Sequence, residues 1–136
     1  GPGNAMDHIR DNLGFSKEAV TDALHKSLKR LQTDYIDLYQ LHWPERNTNF
    51  FGKLGYEHDE NEAWEENFQE VLETLNEFVK EGKIRQVGLS NETPYGLSRF
   101  LEESRKHDLP KMITIQNPYN LLNRKDEIGL TEILHR

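Results

Sequence analysis

Cysteine is absent from this sequence, which excludes disulfide bonds and thiolate metal sites and fits a reducing compartment. Apolar runs are short: none approaches the roughly 20 residues of a membrane-spanning helix, and no charged-then-apolar leader opens the chain. Basic residues are in the minority, since 17 Lys and Arg stand against 24 Asp and Glu, for a formal charge of -7. That charge repels phosphate backbones. We therefore expect a cytoplasmic protein that binds neither nucleic acid nor membranes.

What remains is the composition of a globular domain, with 35% hydrophobic and 30% charged residues in a chain of 136. That length is enough for one domain with a buried core. The prediction is a single segment, 1–136, without a low-complexity linker that would divide it.

Helical and strand patterns alternate along the chain. Helices are predicted over 16–32, 64–79, 93–107 and 128–134, and strands over 34–43, 84–91 and 112–116. Ser16 is placed to cap the first helix, Gly82 to end the second, and Thr93-Pro94 to open the third. Strands separated by helices predict parallel pairing with right-handed crossovers.

Two α/β architectures fit this order: an open doubly wound sheet, or part of a (β/α)₈ TIM barrel, which needs about 250 residues in full. The doubly wound dinucleotide fold carries a glycine-rich turn between a strand and its helix. Gly52, Gly55 and Gly88 do not form that motif. The sequence therefore favours a partial barrel of about three parallel strands with their flanking helices.

All three predicted strands end in polar residues, where parallel α/β folds bind their ligands. His42 ends the first strand, Ser90 and Asn91 the second, and Gln116 the third. Alternation along the first strand puts His42 on the same face as Leu38 and Gln40, which in a barrel is the interior. Two interpretations of His42 stay open, a core histidine bonded to a carbonyl or a functional imidazole at the rim. Ser90, Asn91 and Gln116 also suit ordinary turns and helix entries.

The segment 45–62 is a long predicted loop, and long loops often carry function. His58 lies there among acidic residues, but a solvated loop is the usual fate of such a run, so no metal site is expected.

Four blocks of this sequence resemble the aldo-keto reductase family in order and spacing. They are YIDLYQLHWP at 35–44, GKIR at 82–85, VGLSN at 87–91 and QNPYNLL at 116–122. The resemblance runs from about Arg10 to Arg136, and the loop at 49–56 is most similar to the bacterial Tas-type NADPH-dependent members. It implies the central part of a (β/α)₈ barrel, from its third helix to the start of its sixth, with the loop 45–62 lining the substrate side.

The resemblance also implies a function, the reduction of aldehydes or ketones by hydride transfer from NADPH. His42 matches the family's catalytic histidine, which helps to orient and polarise the substrate carbonyl. Ser90, Asn91 and Gln116 match positions that hydrogen-bond the nicotinamide carboxamide. Tyr119 is similar to a position that stacks on the nicotinamide ring, and Trp43 lies on the substrate side.

The matches cover only part of the family's active site. Its catalytic Asp, Tyr and Lys have no counterpart here, so the resemblance implies that this polypeptide alone lacks turnover. A second hypothesis is a non-catalytic regulatory or binding subunit of the same fold, resembling the potassium-channel β subunits. A third is a half-barrel without a catalytic role, whose unpaired strand edges at 34–43 and 112–117 favour self-association.

Overall fold

The computed structural model describes residues 14–48 and 55–136. Its elements follow the predicted order. They are α1 (Lys17–Leu31), β1 (Ile36–Leu41), α2 (Phe68–Lys80), β2 (Ile84–Ser90), α3 (Pro94–His107), β3 (Met112–Gln116), a 3₁₀ turn (Lys125–Glu127) and α4 (Leu130–His135). The strands form one parallel sheet in the order β1-β2-β3. Neighbours in sequence are therefore neighbours in the sheet, as in consecutive β/α units of a barrel.

The predicted helix boundaries have identifiable local causes. The Ser16 hydroxyl accepts a hydrogen bond from the Ala19 amide at 3.2 Å and so caps α1. Gly82 follows α2 with a φ of +74°, a left-handed conformation that glycine adopts without strain. Pro94 occupies the first turn of α3, where its missing N–H costs no helical hydrogen bond.

Several bounds of strands and helices differ from the prediction by a few residues, and two differences affect the packing. The second helix begins at Phe68, so Trp64 precedes it, although the Trp64 ring still packs edge-on against Phe68 with 5.7 Å between centroids. The helical period predicts that Leu31 lies on the same apolar stripe as Leu24, but Leu31 lies at the helix end and is 64% exposed, whereas Leu24 is fully buried. Periodicity predicts which face of a helix a residue lies on. It does not predict how far along the helix the packed neighbouring elements extend.

The two faces of the sheet have different surroundings. One face packs against the helices, where the aliphatic side chains of β2 meet those of α2; the buried set includes Val71, Leu72, Leu75, Ile84, Val87 and Leu89. The other face carries Gln40, Gly88 and Thr114, together with Leu38, which is 39% exposed. On it Gln40 Nε2 donates to Thr114 Oγ1 at 3.1 Å, spanning β2 at Gly88. A Cβ at Gly88 would lie 2.2 Å from Thr114 Oγ1, so only glycine fits beneath this bond.

A register shift in β3 determines which of its side chains reach the core. Val87 pairs with Met112 but Leu89 pairs with Ile115, so β3 has one residue more than β2 over this stretch. Met112 is therefore buried and Ile115 packs on the core, while Ile113 is 52% exposed. The shift also places Gln116 opposite Ser90 at the end of the sheet.

Candidate active site

The polar residues that end the three strands are joined directly by hydrogen bonds. The Asn91 side chain donates from Nδ2 to the His42 carbonyl oxygen at 2.9 Å, which connects the ends of β2 and β1. The Asn91 backbone N–H donates to the Gln116 carbonyl oxygen at 3.0 Å, which connects β2 to β3. Each of these residues was predicted from a different strand end. His42, Asn91 and Gln116 thus lie together at the carboxyl end of the sheet.

Ser90 completes this connection. Its hydroxyl donates to the Gln116 carbonyl oxygen at 3.0 Å and accepts from Asn91 Nδ2 at 3.2 Å. Both hydrogens of the Asn91 amide are therefore used within the protein. The carboxamide oxygen is the group through which Asn91 can still accept a hydrogen bond from a ligand.

Asn91 also has a backbone role that the sequence prediction did not include. Its φ is 55°, in the left-handed region, where asparagine is tolerated better than most residues that have a Cβ. This conformation ends β2 and turns the chain towards α3. The same residue therefore sets the direction of the loop and positions an amide at the strand tip.

His42 and Trp43 follow the last residue of β1, and their environments differ. His42 is exposed, and its ring centroid lies 4.4 Å from that of Trp43, with the planes inclined by 54°. Trp43 is only 9% exposed, because most of its indole packs within the protein. The imidazole is the more accessible of the two rings, and Trp43 supports it from one side.

Tyr119 lies in the loop after β3 and is 59% exposed. Its hydroxyl donates to Glu127 Oε1 at 2.5 Å, and Arg124 Nε donates to the same oxygen at 2.7 Å. The hydrogen bond to Glu127 raises the pKa of Tyr119 and keeps the phenol protonated. Contacts from the 3₁₀ turn therefore set the position of the Tyr119 ring.

Two residues next to this site have no signal in the local sequence. Arg46 and Glu92 form a buried ion pair between the loops that follow β1 and β2. A charged residue directly after Asn91 was visible, but its partner lies 46 positions away and no local pattern pairs the two.

The described residues can also be checked for a metal site and for a membrane-spanning helix. Within 14–48 and 55–136, no group of three or more His, Cys, Asp or Glu side chains is arranged to hold a metal ion. His58 Nδ1 instead lies 2.9 Å from the Tyr56 hydroxyl. Among the same residues, every helix is too short or too polar to cross a bilayer. Positions 49–54 of the predicted substrate-side loop lie outside the described residues.

Parallel β/α units that gather polar residues at the carboxyl ends of their strands are the arrangement of (β/α)₈ barrel enzymes. The chain belongs to the aldo/keto reductase family, whose family model matches residues 9–136. It is 51% identical over 134 residues to "Protein tas" of Escherichia coli, covering 98% of this chain and 38% of that protein. An aldo-keto reductase of Babesia bovis is 38% identical over 126 residues, covering 88% of this chain and 44% of its own length.

A solved structure shows the same fold. It is the thermostable aldo-keto reductase Tm1743 with the inhibitor epalrestat, which matches with a TM-score of 0.65 and 28% identity. The match covers 88% of this chain and 36% of that one. The predicted partial (β/α)₈ barrel is thereby confirmed. The chain spans less than half the length of these relatives.

Proposed function

We propose that these residues are part of the active site of an oxidoreductase that reduces aldehydes or ketones by hydride transfer from NADPH. Membership of the aldo/keto reductase family supports the reaction class. The observation that carries the proposal is the Asn91 side chain, which bonds to the carbonyl of His42 while its backbone bonds to Gln116. The candidate catalytic residue and the candidate cofactor residues are thus one connected unit. The absence of cysteine supports a cytoplasmic location.

The chemistry of the strand tips fits a nicotinamide carboxamide, which presents both an N–H donor and a carbonyl acceptor. Ser90, Asn91 and Gln116 offer a hydroxyl and two amides. Because both Asn91 amide hydrogens are used internally, its oxygen is suited to the carboxamide N–H, and the exposed Gln116 amide can donate to the carbonyl. When bound, NADPH supplies the hydride. The protein's part is to fix which face of the ring is presented.

His42 is proposed to orient and polarise the substrate carbonyl. Its ring is exposed, its backbone carbonyl accepts a hydrogen bond from Asn91, and Trp43 packs against the ring. The position of the imidazole is therefore restricted. A preorganised donor of this kind lowers the barrier because it needs no rearrangement during the reaction. Trp43 is proposed to border the substrate through its small exposed edge, and Tyr119 to stack on the nicotinamide.

The 136-residue polypeptide by itself is proposed to lack turnover. Of the family's four catalytic residues only the histidine has a counterpart here, at His42. The tyrosine that gives the proton to the carbonyl oxygen in the family is among the residues without a counterpart here. Activity is therefore to be sought in the complete natural polypeptide that contains these residues.

The test is NADPH oxidation by that complete polypeptide with a simple aldehyde, for the wild type and His42→Gln. We expect activity in the wild type and a fall in kcat of about 100-fold in the variant, as for loss of one preorganised electrostatic group. His135→Gln, a change at an exposed histidine of α4, is the matched control and should behave as wild type. A wild type that binds NADPH without oxidising it would contradict the proposal and favour a non-catalytic regulatory subunit.

A further inference from the structure

A buried ion pair lies behind the three strand tips. Arg46 Nη2 is 2.5 Å from Glu92 Oε1, and Arg46 Nη1 donates to Glu92 Oε2 at 3.2 Å, so the contact is bidentate. The side chains are 8% and 3% exposed. Both partners are thus nearly removed from water. In this buried environment their planar, bidentate contact fixes the relative position of the two loops that carry them.

The surroundings are shaped to hold this pair. The Arg46 guanidinium lies 5.9, 5.8 and 5.3 Å from the ring centroids of Trp64, Phe68 and Tyr95. The Glu92 carboxylate lies against Gly96, where a Cβ would be 2.2 Å from the carboxyl carbon. Glu92 Oε1 also accepts from the Thr93 amide at 2.8 Å. Aromatic rings on one side and a glycine on the other leave the pair little freedom to rearrange.

The pair lies close in the chain to His42 and Asn91, and a hydrogen bond connects it to the residue that follows Gln116. Arg46 follows His42 by four positions, and Glu92 directly follows Asn91. The Glu92 carbonyl oxygen accepts from Asn117 Nδ2 at 3.0 Å, and Asn117 directly follows Gln116. The loops after β1, β2 and β3 are therefore joined a second time, behind the hydrogen bonds that link the strand tips themselves.

A buried ion pair is a weak source of net stability, because removing two charges from water offsets most of their attraction. What it supplies better than an apolar contact is a defined geometry. We propose that Arg46 and Glu92 are positioning residues, which hold His42, Asn91 and Gln116 in the arrangement that receives the nicotinamide and the carbonyl. This inference rests on the proposed function for its catalytic consequence, but not for its structural one.

The catalytic test compares Glu92→Gln, Arg46→Met and the double variant in the complete natural polypeptide. Each single variant should lower the melting temperature, because one buried charge or polar group loses its partner. The double variant leaves no unpaired charge and should recover most of that loss. If the pair positions the site, kcat of the double variant stays about 10-fold to 100-fold below wild type despite the recovered stability. If kcat recovers together with the melting temperature, the positioning role is overturned.

A second readout does not depend on catalysis. Hydrogen–deuterium exchange of the loop amides at 42–48, 90–93 and 116–117 should be faster in the double variant, while exchange in α1 stays unchanged. Asp37→Asn, which breaks the exposed Arg85–Asp37 pair, is the control and should alter neither exchange nor kcat. Unchanged exchange in the double variant would overturn the inference. If the wild type has no reductase activity but loop exchange rises as expected, the proposed function fails and the positioning of the loops stands.

Discussion

Asn91 combines a backbone requirement with a side-chain requirement at one position. Its left-handed φ of 55° favours glycine or asparagine. The hydrogen bonds that its side-chain amide donates to His42 and Ser90 exclude glycine. Asparagine satisfies both. The choice of residue at the tip of β2 therefore follows from geometry and hydrogen bonding together.

Substitutions at Asn91 separate these two requirements. Asn91→Gly keeps the conformation and removes the amide, so it should weaken NADPH binding by the complete polypeptide with little additional backbone strain. Asn91→Ala removes the amide and adds about 1–2 kcal/mol of strain at this φ. Cofactor titration and denaturant unfolding of both variants check this. Equal NADPH affinity in wild type and Asn91→Gly would contradict a cofactor role for the amide.

Tyr39 provides a residue-scale prediction about pH. Burial against the core raises the pKa of its phenol, so the folded state resists ionisation more than the unfolded state does. Its contribution to stability is complete below the unfolded pKa of about 10 and is lost as the pH rises through the higher folded pKa. The free energy of unfolding should therefore fall more steeply above that pH in the wild type than in Tyr39→Phe. Parallel curves for the two proteins would contradict this.

The secondary-structure elements were predicted well where a local signal exists. The span of β3 and the Ser16 cap agree with the structure, because a run rich in β-branched residues and a capping side chain are short-range signals. The register shift between β2 and β3 was not predictable, since it depends on pairing between strands that are distant in sequence. The burial of the Arg46–Glu92 pair was missed for the same reason.

A matched pair on α1 tests how far periodicity can be trusted. Leu24 and Leu31 both lie on the predicted apolar stripe, but Leu24 is 0% exposed and Leu31 is 64% exposed. Leu24→Ala should cost about 2–5 kcal/mol of unfolding free energy, because it leaves a cavity in the core. Leu31→Ala should change it by about 0.5 kcal/mol or less. Similar losses measured by denaturant unfolding would contradict the packing described here.

At the scale of the whole molecule, the sheet has two outer strands. Among the described residues, β1 and β3 each pair with β2 on one side only. A strand with an unpaired edge can add a strand from another chain. The predicted self-association therefore involves the outer edges of β1 and β3.

We therefore expect the isolated 136-residue polypeptide to form oligomers or to be poorly soluble. Ile113→Lys, which places a charge at an exposed position of β3, should shift the population towards monomer. Size-exclusion chromatography with light scattering measures both. A clean, stable monomer of the wild-type polypeptide would contradict the expectation.

The central proposal is that the three strand tips together form one binding site for a nicotinamide. Hydrogen bonds connect Asn91 to His42 and to Gln116, and the Arg46–Glu92 pair joins the loops behind them. The family match supports a reductase, and we propose that the polar strand tips are the part of this chain that contacts the cofactor.

The most direct test is a crystal structure of the complete natural polypeptide with NADPH bound. We expect the nicotinamide carboxamide within hydrogen-bonding distance of the Asn91 and Gln116 side chains, with the His42 imidazole facing the space beside the hydride-bearing carbon. A nicotinamide bound elsewhere, with these side chains facing only solvent, would contradict it.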